Sequence, residues 1–86
     1  MSRLDKAKLR LLTLPRDYTY SEAKSLLRQL DFTEDNKGKT SGSRVKFYRV
    51  RDGAMILLHK PHPSDVMNYK SVRDLAEMLK ELGDIS

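Results

Sequence analysis

Arg44-Val45-Lys46-Phe47-Tyr48-Arg49-Val50-Arg51-Asp52-Gly53-Ala54-Met55-Ile56-Leu57-Leu58-His59 is the stretch that decides the fold. Arg44 to Val50 alternates in the period of a strand. Val45 and Phe47 fall on one face, with Arg44, Lys46 and Tyr48 on the other. Arg51-Asp52-Gly53 is a tight-turn signal, and the apolar run Ala54 to His59 folds back on the first strand as a hairpin. Upstream, Phe32 and Thr33 begin a first strand that gives way at the polar Glu34-Asp35-Asn36. The Gly/Ser/Thr/Lys segment 37–43 between them reads as a loop.

Helices flank these strands. Leu4, Ala7, Leu11 and Leu14 repeat at intervals of three and four, which predicts an amphipathic helix over 3–13 that Pro15 ends near Leu14. Thr19-Tyr20-Ser21-Glu22 matches a capping box, in which the Thr19 hydroxyl reaches the Glu22 amide and the Glu22 side chain bonds back. Ala23, Leu26, Leu27 and Leu30 then mark one helical face. Pro61 and Pro63 halt the hairpin, and 64–70 read as a polar connection. Ser71-Val72-Arg73-Asp74 is expected to cap a last helix with Val72, Leu75, Ala76 and Leu79 on one face and Gly83 as its C-terminal stop. The order predicts an α+β fold: a three-stranded antiparallel sheet with helices packed on one face, plus the extra N-terminal helix 3–13. Its other face is left open, and Arg44 and Lys46 point there.

At 86 residues the chain is one small domain, 1–86, with a single modest core. It has no cysteine, which excludes disulfides, thiolate zinc sites and a Cys nucleophile. No apolar run resembles a signal peptide or approaches a membrane span, so a soluble cytoplasmic protein is expected. A zinc site would have to recruit carboxylates, since neither Cys nor a third His is present. Gly38-Lys39-Thr40-Ser41 resembles the end of a nucleotide-hydrolase phosphate loop, but the pattern needs glycine where Thr33 stands and a helix where a strand follows.

The charge is uneven. The chain carries 17 basic and 12 acidic side chains, and six of the basic ones lie in the fifteen residues 37–51, which hold no acid. Without that stretch the rest is almost neutral. A basic strand of this kind is read in three ways: a footprint for RNA or DNA, a solvated sheet face, or a docking surface for an acidic protein. In the first, Arg44 and Lys46 track phosphates with Lys37 and Lys39 from the loop. Small loop residues such as Ser43 let backbone amides approach, and Tyr48 either stacks on a base or fills the sheet edge.

The only two histidines, His59 and His62, stand three residues apart at the end of the hairpin. His62 lies between two prolines that stiffen its backbone. An imidazole beside a phosphate-binding face is suited to take a proton from a ribose 2′-hydroxyl or to give one to a leaving oxygen. The plainer alternative is a strand-end His packed on the core, followed by a His-Pro turn.

Leu14-Pro15, Thr19-Tyr20, Leu26-Leu27, Phe32, the run Lys37 to Phe47, Leu58-His59-Lys60-Pro61-His62-Pro63 and Leu79 with Gly83 together resemble the HicA toxins of bacterial toxin–antitoxin systems. The resemblance covers roughly residues 14–85, the family core, and leaves helix 3–13 as an addition. It implies a fold similar to double-stranded-RNA-binding domains, cleavage of mRNA, arrest of translation, and neutralisation by a HicB-type antitoxin protein. No cofactor is expected, since in-line attack by the 2′-hydroxyl needs only proton transfer and charge stabilisation. Typical members place the catalytic His directly after the Gly-Ser pair, where this chain has Arg44. Arginine can grip a phosphate but keeps its proton at neutral pH, so general acid–base work would pass to His59 and His62. His62-Pro63 matches a His-Pro of typical members. A non-catalytic RNA-binding module and a domain that only docks an acidic antitoxin remain as alternatives.

Overall fold

The computed structural model describes residues 2–35 and 44–85. Its elements are α1 (Arg3–Leu12), α2 (Tyr20–Gln29), β1 (Thr33–Asp35), β2 (Arg44–Arg49), β3 (Ala54–His59) and α3 (Tyr69–Glu81). The strands form one antiparallel sheet in the order β1-β2-β3.

The hairpin follows from its pattern. In β2 Phe47 and Arg49 are buried and Val45 half-buried, while in β3 Ala54, Ile56 and Leu58 are buried and Met55, Leu57 and His59 exposed. That alternation turns one sheet face to the helices and leaves the other uncovered. Against the covered face lie Ala23, Leu26 and Leu27 of α2 and Val72, Leu75, Ala76 and Leu79 of α3, in one core cluster with Phe32 and Tyr18. Helix α1 packs on α2 and α3 through Leu4, Ala7 and Leu11.

Helix ends are set by local chemistry. Thr19 caps α2, its hydroxyl accepting from the Glu22 amide at 3.1 Å. The return half of the expected box is replaced: the Glu22 carboxylate instead accepts from the Thr19 hydroxyl and from Arg10 of α1. The cap of α3 lies three residues ahead of the expected Ser71, because the Asn68 side chain caps the helix by accepting from the Ser71 amide at 2.8 Å. Both α2 and α3 stop in the same way. At the end of α3 the Asp84 amide donates to Leu79 and the Gly83 amide to Lys80, with Gly83 at φ +83. At the end of α2, Phe32 and Asp31 repeat this pattern on Leu27 and Arg28, with Asp31 in the glycine-type conformation at φ +72. Phe32 is therefore a buried residue before β1 rather than its start, and β1 runs on through Glu34 and Asp35.

Arg49 is the one buried charged residue among those described, 2% exposed. Its five N–H donors are all used. Nε and Nη2 reach Asp52 at 3.0 and 2.7 Å, Nη1 and Nη2 reach Asp84 at 2.9 and 3.0 Å, and Nη1 also reaches the Leu30 carbonyl at 3.1 Å. The Phe32 ring lies 4.5 Å from its guanidinium. One side chain thus joins the end of α2, the β2–β3 turn and the end of α3.

The connection 60–68 is pinned to the start of α2. Tyr20 donates its amide to the Asp65 carbonyl and Met67 to Tyr18, each at 2.8 Å, and Thr19 bridges Val66. Hydrogen bonds from Ser21 hold the Asp65 carboxyl below its ordinary range. The His62–Pro63 peptide is cis.

Candidate nucleic-acid interface

The open face is built by register. Residues directly opposite in an antiparallel pair share a face and bring their side chains together. Arg44 stands opposite His59, Lys46 opposite Leu57 and Tyr48 opposite Met55. On the other side Thr33 meets Tyr48 and Asp35 meets Lys46. The face therefore holds three short rows: Thr33–Tyr48–Met55, Asp35–Lys46–Leu57 and Arg44–His59.

Charges on this face are partly matched. Lys46 Nζ lies 3.9 Å from Asp35 Oδ2, at the outer limit of an ion pair, with both side chains partly exposed. Such a pair is worth little in water and leaves the ammonium able to meet another anion. Arg44 and His59, both exposed, sit with Leu57 at a cleft of about 440 Å³ whose other wall is α3: Asp74, Glu77, Met78 and Glu81. Those three acids recur at helical spacing along one side of α3. That stripe was legible in the sequence, but its place beside His59 depends on how α3 crosses the sheet. Asp35 was also missed as a member of the face, because the first strand was expected to give way at Glu34-Asp35-Asn36, whereas β1 includes Asp35.

His59 is not packed on the core, as the plainer reading of the histidines had it: β3 turns it outward beside Arg44. His62 is exposed on the connection pinned to α2, and its register does not belong to the sheet. Tyr48 is half-buried between Thr33 and Met55. Lys37, Lys39 and Ser43 lie outside the described residues.

The other basic residues of 37–51 separate by role. Arg49 is internal. Arg51 pairs with Asp31 at 3.0 Å, both side chains well exposed. Near-neutrality outside this stretch also conceals a division. Residues 2–30 carry seven basic and three acidic side chains, whereas residues 64–85 carry three and five. The segment carrying α1 and α2 is positive, whereas α3 itself balances Lys70, Arg73 and Lys80 against Asp74, Glu77 and Glu81. The two further acids of 64–85 lie outside it, Asp65 against Ser21 and Asp84 against Arg49.

Among the described residues no helix is long and apolar enough to cross a membrane. No protein-family model, no curated protein and no solved structure matches the chain.

Proposed function

We propose that the chain is a HicA-like endoribonuclease with a fold similar to double-stranded-RNA-binding domains, acting on RNA across the open sheet face. The observation that carries the reading is the cross-strand pair Arg44–His59, an always-charged guanidinium beside an imidazole, with Lys46 one row away. Arg44 and Lys46 hold the scissile phosphate, with Lys39 assisting, and Tyr48 offers a ring to an adjacent base. In the reaction the ribose 2′-oxygen bonds to phosphorus as the bond to the 5′-oxygen breaks. A base removes the 2′-hydroxyl proton and an acid supplies one to the departing 5′-oxygen. His59 serves as one of these. His62 serves as its partner or positions the strand. Proton transfer and charge stabilisation suffice for this step, so it requires no metal.

A protein partner for the same face is the second reading, and it has its own observation. Met55 and Leu57 are 55% and 48% exposed beside Tyr48, an apolar strip that phosphates do not use. An antitoxin of HicB type that covers this strip would block Arg44 and His59 together. If Arg44 in place of the usual His has cost the chain its chemistry, the face still binds RNA without cutting it.

The test is cleavage of a defined RNA by purified wild type, His59→Ala, His62→Ala and the double variant, with chelator present. Loss of one positioned acid or base lowers the rate by about 10²–10⁴. Undiminished cleavage by the double variant ends the histidine mechanism. Salt-sensitive binding without product, in the wild type itself, selects the non-catalytic module.

A further inference from the structure

Helix α1 and the outer side of α2 carry a second cationic surface, away from the sheet. The two helices enclose a groove of about 380 Å³ lined by Arg3, Lys6, Ala7 and Arg10 of α1 and by Tyr18, Glu22, Ser25 and Gln29. Its two ends differ. At one end Arg10 is paired with two acids: Nε donates to Glu22 Oε2 at 2.8 Å, and Nη2 donates to Asp17 Oδ1 at 3.1 Å and Glu22 Oε1 at 3.3 Å. Both acids of that end are consumed by it, and the contact holds the Glu22 carboxyl below its ordinary range. At the other end stand Arg3 and Lys6, which form no ion pair among the described residues. The floor beside them is Ser25 and Gln29, which are polar and uncharged. The only acid of α1, Asp5, points to the opposite side of the helix, toward Lys8, Leu9 and the Gly83–Ile85 segment. Arg28, exposed on α2, belongs to a neighbouring cleft with Lys24 and Glu34, which pair at 3.3 Å, and not to this groove.

This end of the groove therefore presents positive charge with hydroxyl and amide groups and no competing carboxylate. That combination suits a phosphodiester backbone: the cations neutralise phosphate, while Ser and Gln hydrogen-bond its oxygens or the sugar. We infer that Arg3 and Lys6, with Ser25 and Gln29, form a second backbone-binding track for the RNA engaged by the sheet face. The inference rests on the RNA reading above and extends it: the ligand is a strand long enough to pass around the molecule, whose Cα extents are 37 × 32 × 20 Å. Helix α1 packs on the helical layer, so a short oligonucleotide held on the open face does not reach it.

Two single-stranded RNAs, of about 4 and 16 nucleotides, span the site sizes of small single-strand binders and separate the surfaces. Binding is measured as a function of salt for wild type, Arg3→Ala/Lys6→Ala, Lys8→Ala and Lys46→Ala. Thermal melting of each variant checks that it is folded. Loss of two single-strand phosphate contacts makes the salt slope shallower by about 1.4 and weakens binding by about 25-fold at 0.1 M salt. That loss is expected for Arg3→Ala/Lys6→Ala with the long RNA only. Lys8→Ala, on the other side of α1, is expected to leave both RNAs unaffected. Unchanged affinity of the double variant for the long RNA, with Lys46→Ala weakening both RNAs, overturns the second track and leaves the sheet reading standing. Equal effects of Lys8→Ala and the double variant also overturn it, since the groove would then add nothing beyond general charge. A wild type that binds neither RNA brings down the sheet reading and the track together.

Discussion

The two ends of β2 carry the same side chain in opposite circumstances. Arg49 is buried, and every one of its donors is bound to Asp52, Asp84 or the Leu30 carbonyl. Arg44, five residues earlier on the same strand, is exposed opposite His59 on the open face. The strand's period of two puts the arginines on opposite faces, because their separation is odd. One became a structural joint and the other a surface group. Positive charge along a sequence is thus a poor guide to positive charge on a surface: of the cations in 44–51, Arg49 is neutralised inside and Arg51 is matched by Asp31.

Removing the buried member has the largest expected effect. Arg49→Met keeps the length of the side chain but leaves Asp84, whose side chain is only 11% exposed, without its counter-ion. Breaking a buried pair from one side costs about 3–5 kcal/mol. In a domain of this size each kcal/mol lowers the melting temperature by roughly 4–8 °C, so a fall of at least about 12 °C is expected in a thermal scan. A shift of only a few degrees would mean that the joint contributes little to stability, and that Arg49 and Arg44 differ in burial only.

Arg44→Ala is the converse, with a smaller effect that falls on binding. Its stability is expected to stay within about 1 kcal/mol of wild type, as for other exposed charged groups. Loss of one single-strand phosphate contact weakens RNA binding by about fivefold at 0.1 M salt and makes the salt slope shallower by about 0.7. A strongly destabilised Arg44→Ala would erase the contrast between the two ends. An unaltered salt slope would remove Arg44 from the phosphate path.

How much of this was legible in the sequence differs from element to element. The hairpin was, because alternation in 44–50 and the Arg51-Asp52-Gly53 turn leave one register that buries Phe47, Ile56 and Leu58 together. So was α2, through the Thr19 cap and its apolar face. The start of α3 was misplaced because Ser71 and Asn68 are both good caps, and the choice is made by the Asn68 side chain accepting from the Ser71 amide. Asp31 was not recognised as a helix stop, since its φ of +72 is a conformation that glycine usually supplies. The Arg44–His59 adjacency followed from the hairpin register. The role of Arg49 did not, because Asp84 lies 35 residues away and only the path of α3 brings it back. The acids of α3 beside His59 have the same long-range origin.

The smallest effect probes the exposed side of the buried joint. Asp52 accepts from Arg49 and then from the Ala54 amide, and these bonds pull its carboxyl from 3.8 down to about 2. Its folded value therefore lies below its unfolded one. As pH falls, the unfolded chain takes up this proton first. The stability that Asp52 contributes is complete above about pH 4 and drains as pH falls toward 2. Wild type is expected to lose melting temperature through that window more steeply than Asp52→Asn, which has no carboxyl to protonate and starts lower at neutral pH. Melting scans of both proteins in steps between pH 7 and pH 2 give the two slopes. Converging curves at low pH place the Arg49 joint under acid control from its solvent side. Parallel curves mean that Asp52 acts there as a neutral hydrogen-bond acceptor would, and that Asp84 alone supplies the charge that keeps Arg49 inside.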